Sequence, residues 1–314
     1  MPEETIMTRD EIKALNERFM DNISSTDQGL QKQAVDAVND FTRTKMREEG
    51  FYRQLIPMLP ITNDELDRDM YETPIKWIDR EPDSPAAISV PFAANPMSLT
   101  IKGPRYKVSF SRIMTPLFNK DVDLLRTWVM DIRQVLSDNS LKDMLAEEDS
   151  AFLLAVNSAM LGQGLTVPTS GTVQWQAISG GITRDTLNDA MKIIPSTPSN
   201  LETHTILINN ITIYDVCKFG RDEMGGDLSQ EIMRQGWTQK EFMGKKWLIT
   251  IKKNLVPTGS IYLFADPKFI GKSYALEDST MYIKRERWWI EFCAYESIGG
   301  AIGWTSGLGR ADFV

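Results

Sequence analysis

Nine of the fifteen prolines fall between residues 57 and 116, at positions 57, 60, 74, 82, 85, 91, 96, 104 and 116. A proline removes a backbone donor and clashes with the preceding helical turn, so this spacing excludes any long helix across the region. Short extended pieces remain, over 73–78, 97–101 and 106–114. In the last, Tyr106, Val108, Phe110 and Arg112 alternate with Lys107, Ser109, Ser111 and Ile113. That is close to the period of two of a half-buried strand. The centre, EPDSPAAISVPFAANP, is small and proline-punctuated. The region predicts a long two-stranded hairpin with an irregular tip.

The flanking segments have the opposite character. Leu124, Leu125, Trp128, Val129, Ile132, Val135 and Leu136 form a helical stripe, and Leu141, Met144, Leu145, Phe152, Leu153 and Val156 resume it. A helix over 121–161 would be roughly 60 Å long at 1.5 Å per residue. Ser137, Asp138, Asn139 and Ser140 compete for backbone hydrogen bonds and mark a place for a kink. Before the hairpin, Thr8 and Glu11 have capping-box spacing, followed by Ile12, Leu15 and Phe19. A second helix carries Leu30, Ala34, Val38 and Phe41 and stops at Gly50. Neither has enough apolar surface to stand alone, so this arm must lie on its own body or on a neighbour.

Beyond a Gly/Ser/Thr-rich stretch at 171–181, a loop or short hairpin, a helix opens at Thr183 and closes at Pro195. HTILIN then reads as a strand, ITIYDVCKFG as a helix, and 221–236 as a polar stretch. WLITIKK, SIYLFAD and a long run over 281–297 read as strands. Helices and strands in this order give an α+β class.

No chemistry assembles from the reactive residues. His204, the sole histidine, opens a strand, so a histidine-based triad or metal cluster would depend on that one residue. Ser170 lacks the G-x-S-x-G elbow. Asp266–Ser273 ends like a phosphate loop but puts Asp266 where glycine is required, and no strong helix pattern follows. Gly299–Gly303 fits no dinucleotide fingerprint. Glu147, Glu148 and Asp149 are consecutive, so on a helix they cannot converge on a cation, and they read as a solvated or interface face. Lys284–Arg287 beside Trp288 and Trp289 is a single short strand. Cys217 and Cys293 sit among apolar residues and read as small hydrophobes of a reducing compartment. A net charge of −8 disfavours a dedicated nucleic-acid binder, though not a container whose acidic wall limits adhesion to packed DNA. No apolar run is long enough to span a membrane. The acidic start MPEETIMTRDEIK does not read as a signal peptide.

Taken in order, these segments resemble the major capsid proteins of tailed bacteriophages with the Hong Kong 97 fold, over essentially the whole chain. Ala146–Phe152 followed by Gly162 resembles the end of the family's spine helix. Ile208–Tyr214 is similar to its strand, asparagine and helix start. Met243–Trp247, then Pro257–Gly259 and Ile261–Asp266, resemble its stretch between two strands.

The resemblance implies an N-terminal arm at 1–56, an extended loop at 66–108, and a peripheral domain at 109–182 with its spine helix at 121–161. It also implies an axial domain at 183–295 and a tail at 296–314 that returns to the body. The chain would assemble into hexamers and pentamers of an icosahedral head, made in the host cytoplasm and enclosing double-stranded DNA without sequence specificity. Portal, scaffolding and decoration proteins are the implied partners, and no cofactor, metal, membrane or catalytic residue is implied. With only about 56 residues before the hairpin, a separate scaffold or assembly without one is expected, rather than a fused scaffolding domain. Assembly contacts are expected at Arg80, Glu81, Lys102, Arg105, Glu147 and Glu148.

Some family members join a loop lysine to an asparagine of a neighbour near its C-terminal end, aided by a glutamate. Lys102 and Lys107 are available here, but no asparagine follows Asn254, so the shell is expected to hold without covalent links. Glu291 and Glu296 are then ordinary strand or interface charges. An encapsulin-like compartment is the alternative within the fold, and a soluble α+β enzyme is the disfavoured reading from another class.

Overall fold

Two sheets share one long helix in the computed structural model of the chain, which describes residues 9–25, 29–30, 32–33, 50–80, 89–92, 98, 103–126, 132–161, 174–219, 241–242 and 244–314. The strands are β1 (Met58–Pro60), β2 (Asp67–Arg68), β3 (Pro74–Asp79), β4 (Arg105–Met114), β5 (Phe118–Asp121), β6 (Trp175–Ile178), β7 (Thr205–Asn209), β8 (Glu241–Phe242), β9 (Lys245–Thr250), β10 (Ser260–Phe264), β11 (Gly271–Glu286), β12 (Trp289–Ile302) and β13 (Leu308–Phe313). The helices are α1 (Arg9–Ser24), α2 (Phe51–Leu55), α3 (Val122–Arg126), α4 (Ile132–Leu161), α5 (Arg184–Met191), α6 (Asn210–Val216) and the single turn α7 (Pro267–Ile270). The class is α+β, as the sequence predicts.

The six-stranded sheet runs β6-β13-β10-β7-β9-β8. Every residue of β7 and β10 is buried, which explains the uninterrupted apolar runs TILIN and SIYLF. Ile206, Ile208, Ile261 and Leu263 meet Leu187 of α5, Ile193, Ile194 and Ile213 of α6 on one face. Leu207, Tyr262 and Phe264 meet Phe152, Leu153, Val156 and Met160 of α4 on the other. Local capping agrees with this packing. Thr183 and Thr186 form a capping box at α5, and the Asn209 side chain accepts from Ile211 N at 2.8 Å to start α6.

The seven-stranded sheet runs β1-β11-β12-β4-β3-β2, with β5 also on β12. Its β3–β4 pair is the predicted hairpin, registered from Ile75↔Ser109 to Asp79↔Arg105. The tip, including 81–88 and the expected strand near 97–101, lies almost wholly outside the described residues. Residues 271–295 are expected with the axial unit, but β11 pairs with β1 and β12, and β12 with β4 and β5, so these C-terminal strands extend the hairpin's sheet. Gly299 and Gly300 have a packing reason. A side chain at Gly300 would overlap the Tyr52 hydroxyl, and one at Gly299 would press on the Phe110 ring.

Four sequence expectations need correction. The predicted helix does not begin at Asp121, because 118–121 pair with β12. Asp121 Oδ1 accepts from Asp123 N at 2.8 Å and opens the short α3. Residues 137–140 do not interrupt α4, since tertiary packing of its apolar face outweighs their local preference. The strand predicted over 281–297 is a hairpin, turning at Arg287-Trp288 with Arg287 at φ 55° and no glycine or asparagine to mark it. Finally, the loop at 171–181 contains β6, which pairs in parallel with β13. The second arm helix and the 221–236 stretch lie largely outside the described residues.

Candidate functional site

The hairpin's sheet presents apolar side chains that the subunit does not cover. Trp77 on β3 is about half exposed, and Met114 and Leu117 beyond β4 are exposed too. Phe92 stands fully in solvent at 106%. Between β2 and β3 the chain turns through Asp69–Thr73, with Met70 at 92% and Tyr71 at 85% exposure. Exposed apolar groups stand elsewhere too, among them Ile211 and Tyr214 of α6 and Ile251 after β9. The turn and outer strand of the hairpin, however, carry Met70, Tyr71 and Trp77 within a short stretch, which suits a surface that another molecule covers.

The arm is partly satisfied by its own subunit. Phe19 and Met20 of α1 are buried against Val122, Leu125, Met281, Ile290 and Phe292. The first arm helix therefore docks on its own body, which decides between the two alternatives left open by the sequence for that helix.

Where α2, α4 and the two longest strands meet, a charged cluster is sealed inside. The Arg53 guanidinium donates to Glu148 at 2.6 and 3.1 Å, to Glu296 Oε2 at 2.7 Å and to Asp278 Oδ1 at 3.2 Å. The side chains of Glu148 and Glu296 are completely buried. Burial opposes the charge on Arg53, but the hydrogen bonds and charges of Glu148, Glu296 and Asp278 outweigh it and raise the pKa. Burial, then the like charge of Glu148, pushes Glu296 up to about 9, partly countered by Arg53, so it holds a proton at neutral pH. One guanidinium thus bridges both buried glutamates.

A second pair lies alongside. Asp149 accepts from Tyr52 N at 3.0 Å and from Lys252 Nζ at 2.6 Å, while Lys252 also reaches Leu145 O at 3.0 Å. Burial raises Asp149 despite Lys252, and burial pushes the Tyr52 hydroxyl up to about 12. The cluster ties the spine helix, the short helix after the arm and both sheets together. With its glutamates and Asp149 buried and tied to elements far apart in the chain, it reads as a structural lock.

This corrects the reading of the acidic run. Glu147 alone is exposed, whereas Glu148 and Asp149 are core residues, because adjacent helix positions face different ways. Glu148 is therefore removed from the expected assembly contacts. Glu296 is likewise a buried lock residue and not an interface charge. Arg80 sits at the hairpin base with its guanidinium 5.4 Å from the Trp304 ring, and Arg105 pairs with Asp79 at 2.6 Å in solvent. Glu81 and Lys102 lie outside the described residues. The structure does not bring the four described ones, Arg80, Arg105, Glu147 and Glu148, into one site.

Sequence reasoning does not single out Arg53, Glu296 and Lys252 for this role. The available signal is a charge set in an apolar run: Arg53 in FYRQLI and Glu296 in FCAYESI. His204 is exposed, its ring nitrogen 3.0 Å from Thr205 Oγ1. Asp266 caps α7, and a strand follows that turn instead of a helix. Among the described residues, no three metal-ligating side chains gather and no helix is long and apolar enough to cross a membrane.

No family model matches the chain, and no curated protein matches it in sequence. Solved structures do match in fold. The subunit of the mature capsid of bacteriophage PhiM1 aligns at a TM-score of 0.56 and 6% identity, over 85% of this chain and 87% of that one. The capsid of the native GTA particle aligns at 0.52 and 14%, over 83% and 89%. A virus-like particle from Pyrococcus furiosus aligns at 0.54 and 11%, over 88% and 99%.

Proposed function

We propose that this chain, which has the α+β Hong Kong 97-type capsid fold, is the major capsid protein of a tailed bacteriophage. On this reading its hexamers and pentamers close into an icosahedral head around double-stranded DNA. The observation that carries the proposal is the match in fold to capsid subunits over more than four-fifths of the chain. The exposed apolar residues of the hairpin's sheet support it, since closed assemblies bury such surface on neighbouring copies. The seven-stranded sheet with α4 would be the peripheral part and the six-stranded sheet the axial part. An acidic subunit suits a wall that holds DNA without gripping it. Portal, scaffolding and decoration proteins would be its partners, and the virion its final location, after assembly in the host cytoplasm.

Purified protein examined by size exclusion and electron microscopy tests the proposal. Closed shells agree with it, whereas a monomer at every concentration and salt condition tried overturns it. The match to the Pyrococcus furiosus particle, spanning 99% of that chain, favours a second reading as a cellular compartment. Particles from infected cells filled with nuclease-protected DNA support the phage head, and DNA-free particles holding a protein cargo support the compartment.

The shell would be held without covalent links. Boiled in detergent, mature particles should give one band near the subunit mass of 35.7 kDa, and a ladder would contradict this.

A further inference from the structure

The turn at Asp69–Thr73 is a preorganised knob. Asp69 N donates to Thr73 O at 3.1 Å, Glu72 N to Asp69 O at 3.0 Å, and Met70 N to Asp69 Oδ1 at 2.8 Å. Lys107 Nζ clamps Asp69 Oδ2 at 2.7 Å. Glu72 is held at φ 61°, a conformation that non-glycine residues adopt at a cost. This fixed turn presents Met70 and Tyr71 almost wholly to solvent beside the exposed Glu72 carboxylate. An ordered turn that displays two large apolar side chains is shaped for a partner, because little conformational freedom remains to be lost on binding.

At the other end of β3 lies a cleft of about 250 Å³ with the opposite character. Phe269, Trp304 and Tyr106 line it, with the cations of Arg80, Lys268 and Lys272 around them. Asp79, its one acid, is already paired to Arg105. The volume lies below that of typical small-ligand sites and suits one or two side chains. The six residues of β3 separate knob from cleft by about 20 Å, so a subunit cannot fill its own cleft with its own knob.

We propose that the Met70–Tyr71–Glu72 knob of one copy of this chain enters the cationic aromatic cleft of the next copy. The apolar side chains match the aromatic walls, and Glu72 matches the cations. Because two different surfaces meet, the contact is heterologous and propagates head to tail, which closes a ring when the rotation permits. The inference rests on the shell reading above and adds a specific contact between copies.

Incorporating photoreactive benzoylphenylalanine at Tyr71 in the full-length chain tests it. Irradiated particles should yield a dimer band whose cross-linked peptide contains residues 268–272 or 303–304. Adducts confined to other surfaces, or a monomer only, would overturn the contact. That includes the case in which the cleft is occupied by the same chain's 81–102 segment. In parallel, Met70→Ser with Tyr71→Ser should keep the thermal midpoint of the subunit while lowering shell yield at least tenfold. Normal yield would overturn the contact. If the unaltered chain forms no particles, the shell reading fails, and irradiation of concentrated subunit still decides whether the knob meets the cleft.

Discussion

The six-stranded sheet and the hairpin's sheet solve the burial problem in opposite ways. In the first, β7 and β10 are buried on both faces by helices of the same chain. The second ends in β2–β3 and the hairpin, where Met70, Tyr71, Trp77 and Phe92 remain in solvent. The central strands of one region are covered within the subunit, and the outer part of the other is not. Arg53 and its two glutamates lie between them and are buried within one chain, although Glu296 Oε1 finds no hydrogen-bond partner among the described residues. Substitutions in the two regions should therefore separate folding from assembly.

The largest expected effect comes from the lock. Arg53→Ala would leave Glu148 and Glu296 buried together without their cation, and losing one partner of a buried pair costs about 3–5 kcal/mol. Denaturant unfolding of the soluble subunit should show a midpoint lowered accordingly. A loss below about 1 kcal/mol would mean that water or another cation replaces the guanidinium, and would break the contrast between a sealed and an open region. Replacing Arg53, Glu148 and Glu296 together by apolar residues of similar volume should cost less than Arg53→Ala, because no charge is then stranded.

A smaller effect should appear as a pH dependence. Glu296 is lifted to about 9 by burial and by the charge of Glu148, against an ordinary value of 4.5. Between these two values the folded subunit binds a proton that the unfolded chain does not, so stability is full below about pH 4.5 and falls as pH rises towards 9. Glu296→Gln keeps the neutral, hydrogen-bonding form and cannot lose that proton. Its melting temperature should decline less than that of the unaltered subunit between pH 6 and pH 9. A tenfold difference in proton affinity between the folded and unfolded chain corresponds to about 1.4 kcal/mol, so the divergence should be at least of that order. Parallel curves would show that Glu296 is already ionised at neutral pH.

How much of this the sequence discloses follows from the range of each interaction. TILIN, SIYLF and the Asn209 cap are legible because their signals lie within a few residues. The hairpin is legible through prolines that forbid the alternative. Docking of α1 on its own body depends on Phe19 meeting Phe292, a contact no local pattern encodes. The lock escapes a local reading for the same reason: Glu148 and Asp149 look solvated in EED, and only Arg53 and Lys252, about a hundred residues away in each direction, show why they are buried. The turn at Arg287 escapes it too, because a two-residue hairpin without glycine leaves no mark in the sequence.

The smallest expected effect on folding is also the most informative about the other region. Trp77→Ser removes a large apolar side chain from β3, and Phe92→Ser removes one from the tip between β3 and β4. Within the subunit Phe92 is fully exposed and Trp77 about half exposed. Surface substitutions away from packed or paired features usually change stability by no more than about 0.5 kcal/mol, so unfolding of the isolated subunit should be nearly unaffected by Phe92→Ser. Trp77→Ser should cost slightly more, because part of the ring packs on the sheet. Shell assembly should respond differently, since an aromatic anchor buried at an interface commonly contributes about 2 kcal/mol or more per contact. Repeated around a closed shell, that loss should raise the protein concentration at which particles first appear in light scattering. An unchanged threshold for both variants would mean that these side chains stay wet in the assembly. The open character of the hairpin would then belong to its turn at Asp69–Thr73 and not to the whole element.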